Sequence, residues 1–191
     1  MTRDELLDLF RRSGALLDGH FKLSSGLHST GYLQCALVLS RPGDAERLGR
    51  AIAELVRPLQ PTVVLSPALG GVVIGHEVGR ALGVPALFAE RQDGALTLRR
   101  GFSLAETDRV VVIEDVVTTG GSTRETMQVA TGAGAQIVGA ASIVDRSGGG
   151  PGLGAPYFSL LDVALPTYEP VACPLCAQGL PAIKPGSRQA P

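Results

Sequence analysis

Two adjacent carboxylates, followed by a run of hydroxyl and glycine residues, mark the stretch of this chain best suited to chemistry: Val110-Val-Val-Ile-Glu-Asp-Val-Val-Thr-Thr-Gly-Gly-Ser-Thr123. Four β-branched apolar residues read as the end of a strand, which places Glu114 and Asp115 at its C-terminal edge. A small-residue loop then leads into a helix, because Ser122 to Glu125 has the spacing of a capping box and predicts a helix N-terminus just after Gly120 and Gly121. Unpaired backbone N–H groups in such a loop converge on an anion, and the helix dipole assists them. Thr118, Thr119, Ser122 and Thr123 add hydroxyl donors. These are the parts of a phosphate cradle.

Two familiar phosphate loops are excluded. A triphosphate-binding P-loop needs a lysine after its last glycine, and this loop has none. A dinucleotide fingerprint needs G-x-G-x-x-G, and the nearest approach, Gly132 to Ile137, fails at Ile137. Two carboxylates beside a phosphate would repel it unless they hold something else. The vicinal hydroxyls of a sugar are suitable donors, so the stretch reads as a sugar-phosphate site. The plainer alternative is a strand end with solvated acids and a loop that merely turns.

The elements around this stretch follow from pattern. Thr2 to Glu5 is a capping box ahead of Leu6, Leu9 and Phe10 at helical spacing, closed by Gly14. Phe21 to Ser29 is polar and short-sided and predicts a loop; a strand-like run follows from Tyr32 to Leu39. Asp44 to Arg57 carries Leu48, Ile52, Leu55 and Val56 on one helical face, with Pro58 as a stop. Thr62–Ser66, Val84–Phe88, Val110–Ile113 and Ile137–Val144 are short apolar runs without alternation, as expected of strands buried on both faces of a parallel sheet. Helical segments at Val72–Leu82 and Thr123–Thr131 lie between them, so the fold class is α/β, built from strand–helix–strand units. Ser147 to Gly154 predicts a flexible loop.

Length and composition set the outer limits. With 191 residues, one domain spanning 1–191 is the expectation, since domains commonly run ~50–250 residues. A 45% apolar content excludes disorder as the main state. The 17 basic and 18 acidic residues nearly cancel, so no nucleic-acid partner is expected. Lys22 and Lys184 are the only lysines; the other basic residues are arginines. The apolar runs are interrupted and shorter than a ~20-residue span, and the N-terminus lacks a secretory core, so a cytoplasmic protein without a membrane partner is expected. Three cysteines make no disulfide framework. Cys173-Pro-Leu-Cys176 has no second pair, and His20, His28 and His76 lie far off in sequence. A structural turn is expected there, with a zinc or disulfide shared across a dimer as the alternative.

The residues Val111 to Ser122 resemble the PRPP-binding motif of type I phosphoribosyltransferases, which join a nitrogenous base to the anomeric carbon of 5-phosphoribosyl 1-diphosphate (PRPP) and release pyrophosphate. The resemblance implies a mainly parallel sheet flanked by helices, with a small hood from about residues 1–40 and 156–182 and a loose tail over 183–191. It implies that Glu114 and Asp115 hold the ribose hydroxyls and are the catalytic pair, and that Val116, Val117, Thr118, Thr119, Gly120, Gly121 and Ser122 complete the PRPP site. Mg²⁺ is then the cofactor, bound mainly through PRPP with no dedicated protein ligand.

Other segments bear on the base. Phe21-Lys-Leu-Ser-Ser-Gly26 is similar to the N-terminal motif of the orotate-specific branch, and Ile143-Val-Asp-Arg-Ser147 resembles its later strand end, whose arginine meets the orotate carboxylate. On this likeness Thr118 and Arg146 bind orotate, a planar carboxylate suiting a guanidinium fork. Pro67 to Gly71 resembles the family turn whose backbone faces pyrophosphate, which assigns Ala68, Leu69, Gly70 and Gly71 to that group. Arg91 matches the position that reaches PRPP across a homodimer. The implied reaction is PRPP plus orotate to orotidine 5′-phosphate and pyrophosphate, in pyrimidine (UMP) biosynthesis. A purine phosphoribosyltransferase and a PRPP-binding regulator are the alternatives; the first shares the 110–123 stretch but gives Arg146 no task.

This chain departs from the family pattern in three places. Many orotate enzymes close a lysine- and histidine-bearing loop over PRPP, whereas Glu90 to Arg100 is short and has neither residue, leaving Arg99 and Arg100 as candidate cations for a lid around 90–100. Glu114 stands where the first acid is usually Asp, and Ser24 where many members have Lys.

Overall fold

The computed structural model describes residues 1–23 and 25–184. Helix α1 (Arg3–Arg12) begins at the expected capping box: Thr2 Oγ1 accepts from the Glu5 N–H at 3.3 Å and Glu5 Oε2 accepts from the Thr2 N–H at 2.8 Å. Leu6, Leu9 and Phe10 form its buried stripe. Next come β1 (Leu16–Lys22), β2 (His28–Leu33), α2 (Cys35–Leu39) and α3 (Pro42–Val56). They lead into β3 (Val63–Pro67), α4 (Gly70–Leu82), β4 (Ala86–Gln92), β5 (Ala95–Leu98) and β6 (Arg109–Val117). The remainder is α5 (Gly121–Gly132), β7 (Gln136–Asp145), β8 (Tyr157–Asp162), β9 (Thr167–Tyr168) and α6 (Pro174–Ala177).

Six strands form one sheet in the order β5-β4-β3-β6-β7-β8. Every neighbouring pair is parallel except β4–β5, an antiparallel hairpin. Side-chain parity explains why its strands are apolar without alternation. Val64, Val111 and Ile113 face one core with α1, α3 and α4, while Val63, Leu65, Val110 and Val112 face a second core with Met127 and Ala130 of α5. Both faces of the central strands β3 and β6 are therefore buried, as the runs predicted. A second sheet, β1-β2-β9, joins the two ends of the chain, with His28 opposite Tyr168 and Ser29 opposite Thr167.

Several sequence expectations are corrected. Phe21, Lys22, His28 and Ser29, expected in a loop, lie in β1 and β2. The irregular register between Asp18 and Phe21 breaks the alternation that would have marked β1. Cys35 to Leu39 is a helix rather than strand, because Cys35, Val38 and Leu39 bury at helical spacing. Within the 156–182 stretch expected in the hood, β8 lies at the edge of the large sheet. The Cys173–Cys176 segment is no simple turn: Cys173 caps α6 and Cys176 lies within it. Ile183, expected in a loose tail, pairs with β1 through Ile183 N–H to His20 O and Lys22 N–H to Ile183 O, both 2.8 Å. The rest of that tail from 185 on, and Ser24, lie outside the described residues. Among the described residues no helix is long and apolar enough to cross a membrane.

Candidate active site

The strand order reverses between β3 and β6: the chain leaves β3 for β4 on one side and β6 for β7 on the other. Ligands of open α/β sheets gather in the crevice beyond the carboxyl ends of strands at such a point. Here that crevice is bounded by the Ala68–Gly71 turn after β3 and the Thr118–Ser122 loop after β6. Each turn opens directly into a helix, so the N-termini of α4 and α5 both border it.

Glu114 and Asp115 do not end their strand, as expected, but lie inside β6, which continues to pair with β7 through Val117 and Asp145. Consecutive strand residues point to opposite faces. Glu114 follows the parity of Val110 and Val112 toward α5, where its Oε2 accepts from Thr123 Oγ1 at 2.6 Å. Asp115 follows Val111 and Ile113 toward α4, and a Cβ on Gly70 would lie 2.5 Å from its Oδ1. Gly70 is thus where the turn after β3 and the second acid meet. Burial pushes the Glu114 carboxyl from 4.5 up to about 7; the Thr123 bond opposes this and the Asp115 charge adds to it. Burial raises Asp115 as well, against hydrogen bonds from backbone N–H groups of Val116 and of Asp115 itself. Both acids are held where a neutral hydroxyl donor is a better partner than a phosphate.

The loop after β6 is built for backbone approach. Gly120 adopts a left-handed conformation (φ 74°), and a Cβ there would meet Pro151 Cβ at 2.9 Å. The helix starts at Gly121 with Gly120 as its cap, two residues earlier than the capping-box spacing implied, and no side chain caps it. The first intrahelical donor is the Arg124 N–H, which reaches Gly120 O at 2.9 Å, so the amides ahead of it face outward from the helix end. Arg124 fastens the loop by donating to Thr119 O at 2.6 Å and Pro151 O at 2.8 Å. Thr118 and Thr119 are exposed, Val116 and Ser122 half-buried, and Val117 buried. Thr123, read as a phosphate donor, instead spends its hydroxyl on Glu114. Position 123 is nine residues from the acid in sequence, and only the packing of α5 on β6 shows the pair.

Arg146 follows β7, and its N–H donates to Val117 O at 2.8 Å, which sets it beside the Thr118 loop. Its Nε is buried without a hydrogen-bond partner, and burial lowers its pKa. Arg91 faces elsewhere, donating to Gly94 O at 2.7 Å and pairing with Glu125 of α5 at 2.9 Å. The 90–100 stretch expected as a lid is the β4–β5 hairpin. Arg100 closes its base on Glu90 through bonds of 2.7 and 2.8 Å and stacks 5.8 Å above the Phe88 ring. Arg99 adds a weaker attraction to the same carboxylate.

Known proteins resemble this chain in sequence and fold. Residues 39–161 match the phosphoribosyl transferase domain family. The chain is 53% identical over 190 residues to an orotate phosphoribosyltransferase of Heliobacterium modesticaldum, covering 98% of this chain and 100% of the relative. It is 50% identical to an orotate phosphoribosyltransferase of Pelotomaculum thermopropionicum, covering 99% and 100% respectively. The orotate phosphoribosyltransferase of Mycobacterium tuberculosis H37Rv, solved in complex with PRPP, superposes with a TM-score of 0.68 at 27% identity, covering 84% of this chain and 95% of that one.

Proposed function

This chain belongs to the phosphoribosyl transferase family, and on that premise we propose that it transfers the ribosyl phosphate of PRPP to orotate, giving orotidine 5′-phosphate and pyrophosphate in pyrimidine biosynthesis. The observation that carries the choice of base is Arg146. A buried guanidinium nitrogen without a partner costs about 1–3 kcal/mol, and a ligand carboxylate beside the loop relieves it. A purine brings no carboxylate to it.

In this reading the amides and hydroxyls of Thr118, Thr119, Gly120, Gly121 and Ser122 bind the 5′-phosphate, and Glu114 and Asp115 accept from the ribose hydroxyls on either face of β6. Leu69, Gly70 and Gly71 present backbone N–H groups to the diphosphate at the start of α4, whereas the Ala68 N–H is taken by Ala89 O at 2.8 Å. The C1–oxygen bond to pyrophosphate breaks with its electron pair on the leaving group, and a nitrogen of orotate forms the new bond to C1. Orotate supplies an anionic nitrogen, so the chain needs no strong base. Its residues contribute by orienting the two substrates and excluding water. The oxygen donors near the diphosphate turn, Asp115 among them, fit a hard divalent ion. Mg²⁺ brought in with PRPP would neutralise charge on the departing pyrophosphate.

Two copies of the chain are part of the proposal. Arg91 is held by an exposed ion pair worth at most about 1 kcal/mol, so it is free to leave Glu125 for the PRPP of a partner's site. The test of the activity is direct: the protein is incubated with Mg²⁺, PRPP and each base separately. Loss of orotate absorbance with stoichiometric pyrophosphate is expected. Turnover of a purine but not orotate, or PRPP binding without turnover, overturns the reading.

A further inference from the structure

The C-terminal segment is poorly anchored by apolar contact. Across residues 166–184 Cys173 alone is buried in the isolated chain, while Val171, Leu180 and Ile183 are exposed. The segment nevertheless lies against the N-terminal hairpin, through the Tyr168 pairing and the Ile183 bonds to β1. Cys173 and Cys176 are set there directly over His20 of β1 and His28 of β2.

The ligand atoms of these four residues lie within 4.8 Å of one another. Cys173 Sγ is 3.5 Å and Cys176 Sγ 3.8 Å from His20 Nε2, and Cys176 Sγ is 3.3 Å from His28 Nδ1. Zinc bonds of about 2.3 Å to sulfur and 2.0–2.1 Å to nitrogen in a tetrahedron put neighbouring ligand atoms about 3.3–3.8 Å apart. These three sulfur–nitrogen separations already match. The two ring nitrogens, 2.8 Å apart, would open by about half an ångström.

Ring orientation favours the same chemistry. His20 Nδ1 lies 2.8 Å from Leu180 O, and a carbonyl oxygen only accepts, so Nδ1 carries the proton and Nε2 presents its lone pair to the cluster. A ligating histidine held by a backbone carbonyl on its other nitrogen is the usual outer-shell arrangement of zinc sites. Two thiols and two imidazoles select zinc over the hard cations of the PRPP site. His20, His28 and Cys173 are also buried at 6, 7 and 2% exposure, leaving no open coordination position on their side.

We propose that His20, His28, Cys173 and Cys176 bind one structural zinc ion that fastens the C-terminal segment to the β1–β2 hairpin. It supplies the anchoring that apolar burial does not. The two histidines flank the Phe21–Gly26 segment, so the metal also holds both ends of that connection. This inference is independent of the transferase reading.

The test uses the full chain, purified under reducing conditions without chelator or affinity histidines. Elemental analysis should find about one zinc per chain, and X-ray absorption should show two sulfur and two nitrogen ligands. Cobalt exchanged for zinc should give a thiolate-to-cobalt charge-transfer band and the d–d bands of a tetrahedral ion. Cys176→Ser, at the most exposed ligand, should lower zinc affinity at least about tenfold even where Cys173→Ser fails to fold. Zinc below about a tenth of an equivalent with no cobalt spectrum, metal on oxygen ligands, or a Cys173–Cys176 disulfide in the purified chain would each overturn the proposal.

Discussion

Thr123 Oγ1 donates to Glu114 Oε2 at 2.6 Å, joining the first turn of α5 to the strand it packs on. The bond ties the start of α5, just after the Thr118–Ser122 loop, to the first of the two acids.

The ionisation of Glu114 should be visible in stability. Burial raises its pKa from 4.5 to about 7, so the fold favours the protonated form. The stabilisation is fully present below about pH 4.5 and is lost as pH rises through about 7. At 1.36 kcal/mol per unit this amounts to roughly 3 kcal/mol for the chain without substrate. Urea melts at pH 5, 6, 7 and 8 should show the decline, and Glu114→Gln should flatten it. An unchanged slope in the variant refutes the attribution.

Removing the hydroxyl of Thr123 should shift chemistry more than fold. In Thr123→Val the bond that lowers the Glu114 pKa is gone, so the carboxyl titrates at higher pH. The acidic limb of kcat/KM for PRPP should move upward, with a loss of about tenfold at neutral pH from a charged hydrogen bond worth about 1.5–3 kcal/mol. A uniform loss at all pH values would mean that Thr123 only packs.

Arg146→Ala should raise the orotate KM by about 10–100-fold while the PRPP KM changes little. Equal effects on both substrates would sink the assignment. Arg146→Lys should recover only part of the loss, since an ammonium lacks the parallel fork.

Asp115→Asn and Gly70→Ala should both damage PRPP use. A methyl at position 70 would press on Asp115 Oδ1 from 2.5 Å. Each variant should lower kcat/KM for PRPP by about tenfold or more, with the orotate KM nearly preserved. If Gly70→Ala leaves PRPP kinetics at wild-type values, the turn after β3 does not border the PRPP site.

The proposed dimer has a mixing test. Arg91→Ala and Asp115→Asn chains, each weak alone, are unfolded together and refolded. If Arg91 serves the partner's site, half of the dimers regain one intact site, and about a quarter of wild-type activity returns. If Arg91 acts on its own chain's site, no intact site forms and nothing returns.

The amino-acid sequence by itself determined what local periodicity and residue chemistry encode. The unalternating runs over 62–66, 110–113 and 137–144 specified strands buried on two faces, and the order of acids, hydroxyls and glycines over 114–122 carried the resemblance to the family. Tertiary structure decided which groups meet. Parity within β6 sends Glu114 to Thr123 and Asp115 to Gly70, a separation invisible in two adjacent letters. Strand pairing between the chain's two ends carries Cys173 and Cys176 to His20 and His28, more than 140 residues away. Local patterns persist because each residue's backbone preference and burial period act over a few neighbours. Convergence over long separations depends on sheet order and loop closure, which no short window of sequence contains.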